Sequence, residues 1–324
     1  MLNRRRFVLG APLALCLPRL LHAQSRGKVR RLGIIVAGAN PRSAPFIAAF
    51  EQRLRELGWV EGTNLIVDFA AGEGPEQLQR VVARFVESQV DVIVAAGPEL
   101  GARVARDSTQ TIPIVIVALN YDPVEKGYAR TLARPDRNIT GVYFRNLEVG
   151  AKQLELLHAV LPGASRVGLL WTKFSADQVA PVETAAAQLN LHLEKIELAS
   201  SYDITQTFAT LKAQRVDSAV ALGDPIVYRD RKQIAQLAVQ RRIAIVGQPS
   251  LAQAGGLLGF GPDLNAAMAS GAAYVDRILR GAAPESMPIE QPGKFELIVN
   301  RKTAATLGLV IPQSLLLSAD EVIQ

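Results

Sequence analysis

The chain states one pattern twice. From Arg31 it alternates strand and helix through a strand at 32–36, a helix at 46–57, a strand at 64–69, a helix at 75–88 and a strand at 90–97. From Arg166 the same order returns at 167–171, 182–190, 191–198, 204–214 and 216–223. Consecutive βα units build parallel sheets covered by helices on both faces. The repeat therefore predicts an α/β protein of two like-built lobes. In open α/β sheets the carboxyl ends of the strands carry the ligand loops, so two such lobes side by side frame a cleft that can close on something small.

Periodicity and punctuation carry the repeat. Phe46, Ile47, Phe50, Leu54 and Leu57 fall on one helical face, and Gly58 follows as a stop. Leu78, Val81, Val82, Phe85 and Val86 do the same after Pro75 at a helix start. Ile204, Phe208 and Leu211 mark a third face, with Asp203 in the N-cap position. The runs at 90–96 and 112–119 are almost wholly apolar, as strands buried on both faces are. Two-domain enzymes also alternate strands and helices, so the repeat alone leaves binder and enzyme open.

A length of 324 residues allows two domains, each with its own core. The net charge of +6 hints at nucleic acid, but Arg4, Arg5, Arg6 and Arg19 lie in the first 24 residues. The remainder is close to neutral and carries no basic stripe set with aromatics, so nucleic acid is not expected as a partner. Residues 1–24 have the form of an export signal: Arg4-Arg5-Arg6, an apolar stretch at 7–17 too short to span a bilayer, and Ala23 for cleavage. The run Arg4-Arg5-Arg6-Phe7-Val8 resembles a twin-arginine signal, with an ordinary arginine-rich signal as the alternative. The mature protein is then periplasmic.

Cys16 is the one cysteine. The run Leu13-Ala14-Leu15-Cys16 is a poor lipoprotein box because Leu15 is bulky where a small residue belongs. Cleavage near Ala23 leaves no thiol, hence no disulfide, thiolate metal site or cysteine nucleophile. Of the three histidines, His22 is in the leader, while His158 and His192 have no carboxylate or second histidine at ligand spacing, so both read as structural. No metal or cofactor is expected. No Gly-x-Ser-x-Gly, His-Glu-x-x-His, Walker A or Gly-x-Gly-x-x-Gly string occurs, and the glycines at 255–256, 259 and 261 suit a bend between lobes. Together these observations favour binding without chemistry, and the chain is read as no enzyme.

Several segments resemble one family. Leu57-Gly58-Trp59-Val60-Glu61-Gly62-Thr63-Asn64, Val90-Asp91-Val92-Ile93-Val94-Ala95-Ala96-Gly97, Thr111-Ile112-Pro113-Ile114-Val115, Asp122-Pro123-Val124, Asn138-Ile139-Thr140-Gly141 and Phe260-Gly261-Pro262-Asp263 are similar to ABC transporter substrate-binding proteins related to bacterial tryptophan/tyrosine-uptake receptors. The stretches at 273–281 and 295–304 match the same family's ending. The resemblance runs from about Val29 to the C-terminus. It implies a type I periplasmic binding protein with Rossmann-like lobes, residues 28–141 with 259–284 and residues 142–258 with 285–324. Three strands cross between them, near 139–143, 257–261 and 287–291. It also implies a monomer that takes an amino acid or aromatic compound and presents it to an inner-membrane ABC permease. A sensory receptor serving a membrane kinase or chemoreceptor is the alternative.

By the same resemblance the ligand loops stand at strand ends. In the first lobe they contribute Ala39, Asn40, Gly72, Glu73, Gly97, Pro98, Asn120 and Tyr121; in the second, Trp171, Lys173, Phe174, Ser200, Asp224 and Gln248. Gly97 precedes a helix start, where free N–H groups favour a carboxylate, although Pro98 stands where relatives carry a hydroxyl. Asp224 occupies the place where amino-acid-binding relatives set an acid against the ammonium, and Asp-Pro is equally a helix cap. Trp171 and Phe174 suit either a ring clamp or a core plug. Lys173 suits either an acidic ligand group or solvent, and Asp122 and Asp263 read as turn residues.

Overall fold

A computed structural model describes residues 28–37, 42–72, 74–135, 137–144, 147–198, 204–291, 293 and 295–324. Residues 1–24 with Cys16, expected to be an export signal, and the expected cap Asp203 lie outside the described residues. The first half gives β1 (Arg30–Ala37), α1 (Pro45–Glu56), β2 (Leu65–Gly72), α2 (Pro75–Glu87), β3 (Val92–Gly97), α3 (Glu99–Ser108), β4 (Ile114–Leu119) and β5 (Ile139–Phe144). Then come α4 (Val149–Val160), β6 (Arg166–Trp171), α5 (Val179–Gln188), β7 (His192–Glu197), α6 (Ile204–Ala213), β8 (Ser218–Ala221), α7 (Pro225–Gln240), β9 (Ala244–Gly247), α8 (Pro249–Gln253) and β10 (Leu258–Pro262). The chain ends with α9 (Leu264–Leu279), β11 (Ile289–Glu290), β12 (Phe295–Asn300), α10 (Arg301–Leu307), α11 (Gln313–Ser318) and β13 (Glu321–Ile323).

The strands form two sheets. One has the order β11-β5-β4-β3-β1-β2 and the other β13-β12-β10-β9-β8-β6-β7. Every pairing is parallel except that of β10 with β12. The apolar runs take the inner positions: β3 and β4 are buried along all but their last residue. Each sheet is covered twice. The first packs Phe46, Ile47 and Phe50 of α1 with Met268, Ala272 and Val275 of α9 on one face, and Leu78, Val82 and Phe85 of α2 with Ala102 and Ala105 of α3 on the other. In the second, α4 and α5 cover one face and α6 and α7 the opposite one.

The chain passes from the first sheet to the second after Phe144, returns after Pro262 and leaves again after Glu290. Residues 139–144 and 258–262 are fully paired strands, so the passages fall just beyond them. Close approach fixes the β5 edge. Gly141 has φ +138° and no room for a Cβ against the Ile116 carbonyl oxygen, and the neighbouring Thr140 hydroxyl donates to the Met287 carbonyl at 2.8 Å.

The segments that carried the family resemblance are fasteners. Trp59 Nε1 donates to Asp276 Oδ1 at 2.8 Å, and Arg280 donates both to that oxygen at 2.6 Å and to the Leu57 carbonyl at 2.8 Å. These bonds tie the turn after α1 to the end of α9. Asn64 closes the same turn by accepting from Val60 N–H and donating to the Gly58 carbonyl. Asn300 caps α10 through the Thr303 N–H and donates to the Ala252 carbonyl. Asp122 accepts from the N–H groups of Val124 and Glu125, and Asp263 caps α9 through the Ala266 N–H.

His192 departs from the expectation that it lacks a carboxylate neighbour. Its Nε2 lies 3.1 Å from Glu194 Oε1, because residues two apart on a strand share a face. Among the described residues no group of three or more His, Cys, Asp or Glu could hold a metal ion, and no helix is long and apolar enough to cross a membrane.

Candidate functional site

The carboxyl ends of the two sheets face each other across a space of about 770 Å³, part of it continuous with solvent. From the first side come Val36 at the end of β1, Gly97 and Pro98 after β3, Leu119 and Asn120 at the end of β4, and Phe46 near the start of α1. From the second come Gly223 and Asp224 after β8, Tyr228 and Arg231 along α7, and Gln248 after β9. Leu264 and Met268 of α9 complete the wall. A mostly apolar hollow with a few polar groups is the usual form of a small-molecule site.

Local backbone geometry aims these loops. Gly97 has φ +106°, which turns β3 into Pro98 and the start of α3. Asn120 also takes a left-handed conformation, at φ +67°, which suits asparagine better than most side chains. Its Nδ2 reaches across the space to the Gly223 carbonyl at 3.1 Å. Phe46 and Tyr228 meet edge to face at 5.2 Å between ring centroids, so the two sides touch at more than one point. The Gln248 side chain lies flat on Gly223, where a Cβ would collide with its amide.

Asp224 is held on all sides. Its Oδ1 accepts from the N–H groups of Ile226 at 2.8 Å and Val227 at 3.0 Å, which caps α7. Its Oδ2 accepts from the hydroxyls of Thr172 at 3.0 Å and Ser175 at 3.1 Å. A carboxylate offers about four lone-pair sites, and all of them are used. Burial pushes the carboxyl above its ordinary range, although these four bonds pull the other way.

Of the residues singled out in the sequence, Gly97, Pro98, Asn120, Asp224 and Gln248 come together in this space. Ala39, Asn40, Glu73 and Ser200 lie outside the described residues. Five others stand elsewhere. Gly72 ends β2, where a Cβ would meet Leu78. Tyr121 is buried in the layer between the first sheet and α2 and α3, edge to face with Tyr128. Trp171 packs against the core under α4 and α5. Lys173 is exposed, with its ammonium 5.3 Å above the Phe174 ring.

Sequence reasoning missed Phe46, Tyr228, Arg231, Leu264 and Met268. Tyr228 and Arg231 had a readable signal: they follow Pro225 at three-residue steps, and side chains so spaced share one helical face. The Arg231 guanidinium lies 4.3 Å over the Tyr228 ring and donates to the Tyr228 carbonyl at 2.6 Å.

A family model described as ABC transporter substrate binding protein matches residues 34–323. The chain belongs to that family. A tyrosine-binding protein of Clostridioides difficile (strain R20291) is 23% identical over 288 residues, which cover 87% of this chain and 82% of that one. Among solved structures, the ABC domain in complex with L-Trp from Streptococcus pneumonia superimposes with a TM-score of 0.79 at 22% identity, over 91% of this chain and 99% of that one. A conserved domain protein from Vibrio cholerae has the same TM-score at 24% identity, over 91% and 100%. The ABC substrate-binding chain thus has the type I periplasmic binding fold, two sheets of mostly parallel strands with a cleft between their carboxyl edges.

Proposed function

We propose that this ABC substrate-binding protein is the periplasmic receptor of an import system: it closes two lobes on one small molecule and hands it to an inner-membrane permease. The observation that carries the reading is the cleft itself. Both sides supply its walls, and the Asn120 to Gly223 bond joins them. A ligand that contacts both sides stabilises the closed arrangement, and moving a population from mostly open to mostly closed takes about 5.5 kcal/mol of differential affinity. A few charge-assisted hydrogen bonds at about 1.5–3 kcal/mol each supply that. No step of the cycle requires bond making in the cleft.

The residues assigned to ligand contact are Gly97, Pro98, Asn120 and Gln248, joined by Phe46, Tyr228 and Arg231. The relatives described as binding tyrosine or containing L-Trp make amino acids and other aromatic molecules the first compounds to try. The leader at residues 1–24 accounts for export, with the twin-arginine route suggested by Arg4-Arg5-Arg6. The receptor acts as a monomer.

Mass spectrometry of the molecule that co-purifies with the exported protein, followed by a thermal-shift screen, tests the reading. A ligand of the native state raises the melting temperature in proportion to its saturation. Small-angle scattering should show compaction on ligand addition. A co-purified molecule that is chemically converted on incubation would instead mean an enzyme.

A further inference from the structure

Charge is unevenly matched in the cleft. Among the described residues that line it, Asp224 and Arg231 are the two with ionisable acidic or basic side chains. Asp224 spends its four acceptor sites on the α7 cap and on Thr172 and Ser175, so it has none left for a ligand ammonium. Arg231 is in the opposite position. Among the described residues it makes no ion pair, and its one hydrogen bond goes from Nη1 to the Tyr228 carbonyl. A guanidinium has five N–H donors in a planar fork that matches a carboxylate. Asp263 and Glu296 line an adjoining hollow that shares Phe46, Tyr228, Arg231 and Leu264 with the cleft, and neither is among the residues lining the cleft itself.

We propose that the cleft selects a monoanionic carboxylic acid with an apolar or aromatic body, held through its carboxylate by Arg231, and discriminates against the zwitterion of the matching amino acid. This rests on the receptor reading and names its ligand class. The body of such a ligand lies against Phe46, Leu119, Leu264 and Met268, which offer no polar side-chain partner. A carboxylate there neutralises the free guanidinium as water leaves. An ammonium would be stripped of water with no open acceptor on a carboxylate among the described lining residues, and a desolvated charge without a partner is costly.

The test is calorimetric, on the mature protein dialysed free of ligand, with a triplet that differs by one group at a time: 3-phenylpropanoate, phenylalanine and phenethylamine. The same triplet built on indole follows. The carboxylate should bind at least about tenfold more tightly than the amino acid, and the amine should not bind. Arg231→Gln should weaken the carboxylate by at least about 30-fold, with Arg231→Lys between the two. An unchanged melting temperature certifies the variants as folded. Equal or tighter binding of the amino acid overturns the proposal and leaves the receptor reading intact. So does carboxylate binding that ignores Arg231→Gln, and so does the absence of carboxylate binding. The receptor reading fails separately, if nothing co-purifies and no ligand changes the scattering profile.

Discussion

Asn120 donates its amide N–H to the Gly223 carbonyl oxygen at 3.1 Å, so the loop after β4 is joined directly to the loop after β8. Two sheets with separate cores are thereby latched at the floor of the cleft. The bond is neutral, and such bonds contribute about 0.5–1.5 kcal/mol net. In the proposed receptor cycle it biases the closed form without locking it.

Asn120→Gly tests the latch. Glycine accepts the left-handed backbone at φ +67° without strain and removes the donor. Unliganded protein should show a larger radius of gyration than the wild type by scattering, and ligand affinity should drop about fivefold, the equivalent of roughly 1 kcal/mol.

Asp224→Ala should destabilise the fold by about 2–4 kcal/mol in urea titrations, because the α7 cap is lost and the buried Thr172 and Ser175 hydroxyls lose their acceptor.

Asp224→Asn keeps the shape and reports on pH. Burial raises the folded-state pKa of Asp224 above that of the unfolded chain. Between those two values the native state holds the proton and the unfolded chain does not, so this group's contribution to stability falls as pH rises through that window. Wild type should therefore gain stability relative to Asp224→Asn on acidification from neutral pH to about pH 4, near the unfolded aspartate value. Unfolding free energies of both proteins at the two pH values decide this, since carboxylates common to both cancel.

Gly141→Ala and Gly223→Ala should behave oppositely. At Gly141 the added methyl meets the Ile116 backbone at φ +138°, which should cost roughly 2–6 kcal/mol of stability. At Gly223 it meets the end of the Gln248 side chain, which can swing away. That variant should melt almost normally yet lose ligand affinity, because Gln248 leaves its place in the cleft.

Trp171→Phe and Lys173→Ala should leave ligand affinity unchanged in calorimetry. Trp171 is committed to the core beneath α4 and α5, and Lys173 rests over Phe174 outside the cleft lining. Trp171→Phe should still lower the melting temperature, since part of a large buried surface is lost.

The helices and inner strands were legible because their signal is periodic. Leu78, Val82 and Phe85 read as one face of α2 and are that face. The runs that became β3 and β4 read as buried on both sides and are. Sheet membership at 258–262 and 289–290 was harder to read, since β10 pairs antiparallel with β12 and β11 pairs with β5 only after the chain has crossed between sheets. Such pairings join residues far apart in sequence, where local pattern carries no information.

The division at the site has the same physical basis. By itself the sequence determined the βα repeat, because periodicity and strand termini are local, while the family resemblance pointed to the strand ends at Gly97, Asn120, Asp224 and Gln248, which line the cleft. Tertiary structure decided which side chains those loops share the space with. It filled the acceptor sites of Asp224 Oδ2 with hydroxyls 49 and 52 residues away and set Trp171 against a core. It also left the guanidinium of Arg231 beside the cleft with no ion pair among the described residues. The free charge in a cleft is a sum over partners brought from distant parts of the chain, and only the folded arrangement performs that sum.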